Sequence, residues 1–351
     1  MLDRYIFNLG FYLSMIKLLK KVINKSIRFT IRLLTKPFIR KELYIYSTYQ
    51  RLIDIKPEVI SRVDTNNMIF NLIKSDEPFM VGRFGWTEVD TLNHYDNFLK
   101  MNSLEKLHEW SLTSRYPFSK NCILNDIHRQ SGFYPVTQKN IALFREEMIS
   151  SMERIDLLAS WVKGECRFQE YMPHAQVCKL DFIEPYLSEN PWSEALEGLK
   201  VLIIHPFVDS IYDQYFQNRT NIFKDIKVLP KFELKLIKSP QTLPGDSYRF
   251  NNWFETLDAL TEETYQTDFD IALIGCGAYG FPLASRIKKL GKKSIHLGGS
   301  TQILFGIKGK RWDQEPVFMN LYNKFWKYPS IKEKPKGYFG IDRGCYWAPD
   351  T

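Results

Sequence analysis

Cysteine is scarce in this sequence: Cys122, Cys166, Cys178, Cys276 and Cys345 are all there is among 351 residues, and none forms a CxxC pair. That excludes a disulfide scaffold and gives no support to a zinc finger or a thioredoxin-type site. Reduced thiols in a cytoplasm are the expectation. Long apolar runs are also missing. The longest, Tyr5 to Ile16, is 12 residues broken by Asn8, Gly10 and Ser14, whereas a membrane span needs about 20. Lys20 and Lys21 follow that run rather than precede it, and no small-residue cleavage site appears, so it does not read as a secretory signal. Histidines without ligand spacing (His94, His108, His128, His174) offer no metal cage, and no Ser–His–Asp or Cys–His constellation can be read.

Net charge is absent from most of the chain. Residues 1–42 hold ten Lys and Arg against Asp3 and Glu42, which is the entire excess of +8; residues 43–351 hold 38 of each sign. A body without net charge has no overall attraction for a phosphate backbone, so no nucleic-acid partner is expected. From Ile16 to Leu34 the pattern fits an amphipathic helix ended by Pro37. Lys17, Lys21, Lys25, Arg28 and Arg32 fall in one wedge, and Ile23, Ile27, Phe29, Leu33 and Leu34 lie among the apolar remainder. Such a helix either lies on an anionic membrane surface or packs on the protein's own body with a solvated basic edge.

What the body does contain is 44% hydrophobic and 15% aromatic residues, enough for a large core. Helical and extended patterns alternate. PFMVG ends a strand at Gly82, KVLIIHPF reads as a strand buried on both faces, and DIALIG and SIHL read as two more. Helices are expected near Asn67–Lys74, from Thr87, from Leu104, after Thr137, over Ser210–Arg219, over Trp253–Tyr265 and from Pro282, with Gly291 closing the last. Ser193 is expected to cap a short helix closed by Gly198. The class is α/β, Rossmann-like: a mostly parallel sheet with flanking helices, preceded by the basic segment. The domain reading is 1–42, then 43–195 and 196–351 as two halves of the α/β body, with a boundary among the Pro- and Glu-rich residues 185–198.

Three stretches could carry chemistry at the strands' carboxyl ends. GCGAYG places Gly275, Gly277 and Gly280 in GxGxxG spacing, where backbone can turn sharply and phosphate can approach a helix start; the same spacing also serves a purely structural turn. An NAD fingerprint needs an acid about 20 residues on, and His296-Leu297-Gly298-Gly299-Ser300 holds none. GGSTQILFGIKGKRWD offers Gly298, Gly299 and a capping Ser300, then Lys308, Lys310 and Arg311 on a glycine-bearing loop that either closes over a diphosphate or is a solvated turn. VGRFGWTEVD puts Arg83, Gly85 and Glu88 at a strand-to-helix turn, where Glu88 either serves a site or complements the helix dipole. His205 is the histidine best placed for a cleft, with His296 similar. Trp86, Trp192, Trp253, Trp312 and Trp347 are core residues or sugar platforms.

Phe79 to Leu92 resembles the N-terminal motif of the bacterial GT-D fold glycosyltransferases, a strand running into Arg-Phe-Gly-Asp-Gly-Glu. KVLIIHPF, CGAYG and HLGGSTQILFGIKGKRW are similar to the C-terminal half of related proteins associated with capsule and other surface polysaccharide synthesis. The resemblance implies transfer of a sugar from a nucleotide-sugar donor to an acceptor; joined to the basic segment, the expectation is a lipid-linked or polysaccharide acceptor and a place at the cytoplasmic inner face of the cell membrane. It implies an Asp-x-Glu pair engaging a divalent metal, Mn²⁺ or Mg²⁺. Here Arg83, Phe84, Gly85 and Glu88 match, but Trp86 and Thr87 stand where that motif has Asp and Gly. Glu88 then becomes the expected general base, with Arg83, Lys308, Lys310 and Arg311 as cations for the diphosphate. The rival readings are an NAD-dependent oxidoreductase or epimerase and a non-catalytic membrane-docked component of a polysaccharide assembly complex.

Overall fold

A computed structural model describes residues 26–27, 29–31, 33–34, 58–112, 123–246 and 248–349. The chain forms two units, residues 1–52 with 94–125 and residues 53–93 with 126–351. Of the expected N-terminal amphipathic helix, residues 26–27, 29–31 and 33–34 are helical. There Ile27, Phe29, Leu33 and Leu34 are exposed. The rest of that helix and Cys122 lie outside the described residues.

In chain order the elements are α1 (Arg62–Lys74), β1 (Met80–Gly82), α2 (Trp86–Lys100), α3 (Ser103–Leu112), α4 (Ile123–Ser131), α5 (Gln138–Met152), β2 (Leu157–Ser160) and β3 (Gln176–Lys179). There follow β4 (Lys200–His205), α6 (Val208–Ile222), β5 (Glu233–Lys238), α7 (Trp253–Tyr265), β6 (Ile271–Ile274), α8 (Gly280–Lys289), β7 (Lys293–His296), α9 (Ser300–Leu304) and α10 (Pro316–Met319). Helix starts follow local chemistry. Ser61, Thr137 and Asn252 accept from the backbone N–H of Asp64, Asn140 and Glu255, satisfying donors that α1, α5 and α7 cannot pair internally. Ser193 does not cap a helix as expected. Its hydroxyl donates to the carbonyls of Lys227 and Val228, and residues 192–196 make only a 3₁₀ turn. Helix α8 begins at Gly280, two residues before the expected Pro282.

The described strands form one seven-stranded sheet in the order β3-β2-β1-β7-β6-β4-β5, every pairing parallel. The protein is thus α/β with a parallel sheet and flanking helices. β1 to β3 wind one way from the centre and β4 to β7 supply the other side, so residues before and after 195 share one sheet. β2 and β3 are strands the sequence pattern did not reveal. Val81, Val201, Ile203, Leu273 and Ile295 turn to one face, where Ile69 and Ile73 of α1 and Ile211 and Tyr215 of α6 pack on them. Alternation sends Leu202, Ile204, Ala272 and Ile274, all buried, to the other face, and α8 packs there with α5 and α7.

A single carboxylate ties the start of β1 to α8. Asp156 Oδ2 accepts from the Met80 N–H at 2.8 Å and from Lys288 Nζ at 2.8 Å, joining the start of β1 to the end of α8. On the α8 face, Trp253 is fully buried, stacked on Tyr279 at 5.3 Å and edge-on to Phe144 at 5.3 Å. Trp253→Ala should therefore lower the unfolding free energy by about 3–5 kcal/mol in denaturant titration. A loss under about 1 kcal/mol would contradict this packing.

Candidate functional site

β4 sends its chain outward to β5, while its sheet neighbour β6 sends its chain the opposite way to β7. Where neighbouring strands diverge like this, a crevice opens beyond their carboxyl ends. A cavity of about 430 Å³ lies there, lined among others by His205 after β4, Gly275 after β6, His296 and Gly298 after β7, and Arg83 after β1. All of its lining residues belong to the second unit.

Arg83 and Arg311 are the cations among the cavity's lining residues. Arg83 Nε and Nη2 both donate to the Phe84 carbonyl, at 3.1 and 2.9 Å, and the Arg83 guanidinium lies 4.7 Å from the Trp161 ring centre. The Trp161 indole N–H donates to that same carbonyl at 2.7 Å. No carboxylate pairs with Arg83 among the described residues. Burial lowers its pKa, while Tyr346 and Glu88 nearby oppose the shift. Across the cavity, the exposed Arg311 donates to the Tyr346 hydroxyl at 2.9 Å and stands over the rings of Tyr346 and Trp312. Glu88, in the first turn of α2, is buried and accepts from Thr87 Oγ1 at 2.8 Å. Its carboxylate occupies the space a Cβ on Gly85 would need.

The glycines make room for side chains. A Cβ on Gly298 would sit 2.6 Å from Arg83 Nη1, and one on Gly299 2.5 Å from the Tyr346 ring. Gly275 passes the Gly298 carbonyl, and the space beside Gly280 is filled by the His296 ring. Gly277 adopts φ +59 with the Ser131 carbonyl 2.9 Å from any Cβ, so valine there would strain the turn itself. Among the sequence candidates, Arg83, Gly85, Glu88, Gly275, Gly277, Gly298, Gly299, Ser300 and Arg311 line the cavity, whereas Gly280, Lys308 and Lys310 do not. Lys308 faces the rings of Tyr322 and Tyr328 at 4.9 and 5.6 Å, and Lys310 is exposed. Ser300 does not cap α9 as expected; its hydroxyl donates to Glu184, whose buried carboxyl is shifted upward by desolvation.

Trp86, Trp312 and Trp347 line the cavity, while Trp192 and Trp253 belong to the core. Sequence reasoning missed Trp161, Glu184, Ser239, Gln302 and Tyr346, which also line it. The sequence reading makes Ser300 a cap and a ligand-binding candidate and assigns Gln302 no role. For Trp161 the signal was too faint, because β2 itself went unseen.

His205 Nδ1 accepts from the Phe207 N–H at 3.0 Å, which leaves the proton on Nε2. Burial drops its pKa from 6.5 to about 3. His296 is lowered to about 3 as well, first by burial and then by the Arg83 charge.

No protein-family model matches the sequence, and neither does any curated protein. Two solved structures are similar in chain path, each aligning over 83% of this chain and 96% of its own. Both have a TM-score of 0.40, with 13% and 14% sequence identity. Both concern domain of unknown function 1792, one as its selenomethionine form and the other described as having a distinct glycosyltransferase fold.

The histidine shifts set a pH dependence. A folded pKa below the unfolded one means the unfolded chain binds the extra proton, so this stability is present above about pH 6.5 and lost as pH falls toward 3. Asparagine can keep an acceptor for the Phe207 N–H without titrating. The stability of His205→Asn should therefore fall with acid by up to about one proton less than that of the wild type. Parallel stability-against-pH curves between pH 6.5 and 3 would refute a neutral, buried His205.

Proposed function

We propose that the protein is a glycosyltransferase that moves a sugar from a nucleotide-sugar donor to a membrane-associated acceptor in bacterial surface polysaccharide synthesis. One observation carries the reading. A half-buried guanidinium that makes no salt bridge among the described residues, Arg83, stands at the diverging carboxyl ends of a parallel sheet, in a cavity it shares with Arg311 and Glu88. A desolvated cation in a low-dielectric crevice favours an anion that brings its own charge, as a diphosphate does. The resemblance of Phe79–Leu92 to the GT-D fold motif supports the same placement.

In this reading the acceptor oxygen bonds to the sugar's anomeric carbon as the carbon–oxygen bond to the diphosphate breaks. The electron pair stays with the leaving phosphate oxygen, where Arg83 and Arg311 stabilise the developing charge. Glu88 takes the acceptor hydroxyl's proton. The motif's Asp-x-Glu metal pair is incomplete in this chain. Trp86 replaces the motif's aspartate, and no three His, Cys, Asp or Glu side chains come together as a cage among the described residues. No step is routed through a metal ion. The basic segment 1–42, with Ile27, Phe29, Leu33 and Leu34 exposed on its helical residues, would dock the enzyme on the inner face of the membrane.

Two measurements test this. Arg83→Gln should weaken nucleoside diphosphate binding by about 10- to 100-fold in calorimetry. Glu88→Gln should keep donor affinity but lose about 10²- to 10⁴-fold in turnover. Failure of the wild-type protein to bind any nucleoside diphosphate, or near-full turnover by Glu88→Gln, would overturn the proposal. For the membrane role, the full chain should float with anionic liposomes and detach in high salt, and a chain lacking residues 1–42 should not float. Equal partitioning of the two would remove that role.

A further inference from the structure

Three buried polar atoms of cavity-lining residues have no hydrogen-bond partner in the structure: Ser239 Oγ, His296 Nδ1 and Gln302 Oε1. Their residues are only 3%, 5% and 0% exposed. Native proteins rarely leave such atoms unpaired, and a cluster of them around one cavity marks groups that a ligand completes.

Gln302 says which kind of group. Its Nε2 donates to the carbonyls of Ile307, Lys308 and Tyr346 at 3.3, 2.8 and 3.3 Å, which fixes the amide orientation. The free atom is therefore the oxygen, and it only accepts. A phosphate or carboxylate oxygen has no proton to offer it. His296 is neutral in its buried site, so Nδ1 pairs with a hydroxyl in either tautomer, and so does the Ser239 hydroxyl. A hydroxyl is the group that satisfies all three. Ser239 follows β5 and His296 ends β7, with β4 and β6 between them. Three strand spacings separate them by roughly 14 Å. One hydroxyl cannot serve both positions; an extended ligand with hydroxyls along its length can.

We propose that Ser239, His296 and Gln302 read the sugar hydroxyls of the ligand, while Arg83 and Arg311 hold its phosphates. This rests on the nucleotide-sugar reading above, and the hydroxyls belong to the nucleoside's ribose, to the transferred sugar, or to both.

The test is calorimetry on the full chain with the uridine, guanosine, cytidine and adenosine diphosphates, their 2′,3′-dideoxy forms and their glucose, galactose and N-acetylglucosamine conjugates. The variants are Ser239→Ala, His296→Leu and Gln302→Met, with His296→Asn returning a polar atom near the Nδ1 position. Each of the first three should lose about 3- to 30-fold in affinity for the ligand whose hydroxyl it reads. Loss for a conjugate alone assigns the transferred sugar. Loss for the diphosphate and its conjugates, but not for the dideoxy form, assigns the ribose. His296→Asn should recover most of the His296→Leu loss. Gln302→Met also strips three carbonyls of their donor, and His296→Leu loses a hydrogen bond to the Arg83 backbone; Ser239→Ala removes no side-chain hydrogen bond and keeps the test decisive. Variants that bind every ligand as the wild type does, or that weaken ribose and dideoxy forms alike, overturn this inference alone. A wild-type protein that binds no diphosphate sinks both it and the function proposed above.

Discussion

A guanidinium held by a carbonyl and an indole, with no carboxylate in a salt bridge to it among the described residues, is the constraint on which the cavity is built. Both nitrogens that anchor Arg83 go to one acceptor, the Phe84 carbonyl, and Trp161 donates to the same atom while its ring flanks the charge. This fixes the cation's position without cancelling it. An ion pair in the same place would have satisfied the charge and left nothing for a ligand. Instead the unmet demand points into a crevice made by strand topology, and Arg311 on its tyrosine extends it.

The neighbouring backbone is shaped around that group. Gly298 takes φ +63 and leaves room for Arg83, Gly299 leaves room for Tyr346, and Gly85 for the Glu88 carboxylate. These glycines crowd cations, an aromatic ring and a carboxylate onto the sheet's edge more closely than any side chain would allow. The lining is otherwise neutral or apolar on several sides, with Phe207, Trp347 and the uncharged His205 and His296. The lining's cations are Arg83 and Arg311, set among the carboxyl groups of Glu88, Asp181, Glu184 and Asp342 and among neutral hydrogen-bonding groups.

Much of the architecture was legible because it rests on local signals. KVLIIH, IALI and the helix Trp253–Tyr265 are continuous or well-capped runs bounded by Gly, Pro or Asn, and they stand where the pattern put them. LLAS and QVCK were not legible: four residues each are too few to show a period, and β3 is exposed at both ends. Ser193 and Ser300 failed as caps for one reason. Each hydroxyl found a partner more than 30 residues away, at Val228 and at Glu184, and no local rule sees such a partner. The same limit hid Gln302 and Tyr346, which meet only because the chain returns to the cavity near residue 346. Of the glycine-turn candidates, Gly275 and Gly277 line the cavity, whereas Gly280 does not and has the His296 ring beside it.

The central claim is that Arg83, held without a salt bridge, takes the diphosphate of a sugar nucleotide. A crystal structure of the full chain with a nucleoside diphosphate tests it most directly. The account predicts phosphate oxygens within hydrogen-bond reach of the Arg83 guanidinium, beside Gly298 at the carboxyl ends of β1 and β7. A diphosphate bound instead at Lys308 and Lys310, with Arg83 still facing only Phe84 and Trp161, would contradict it.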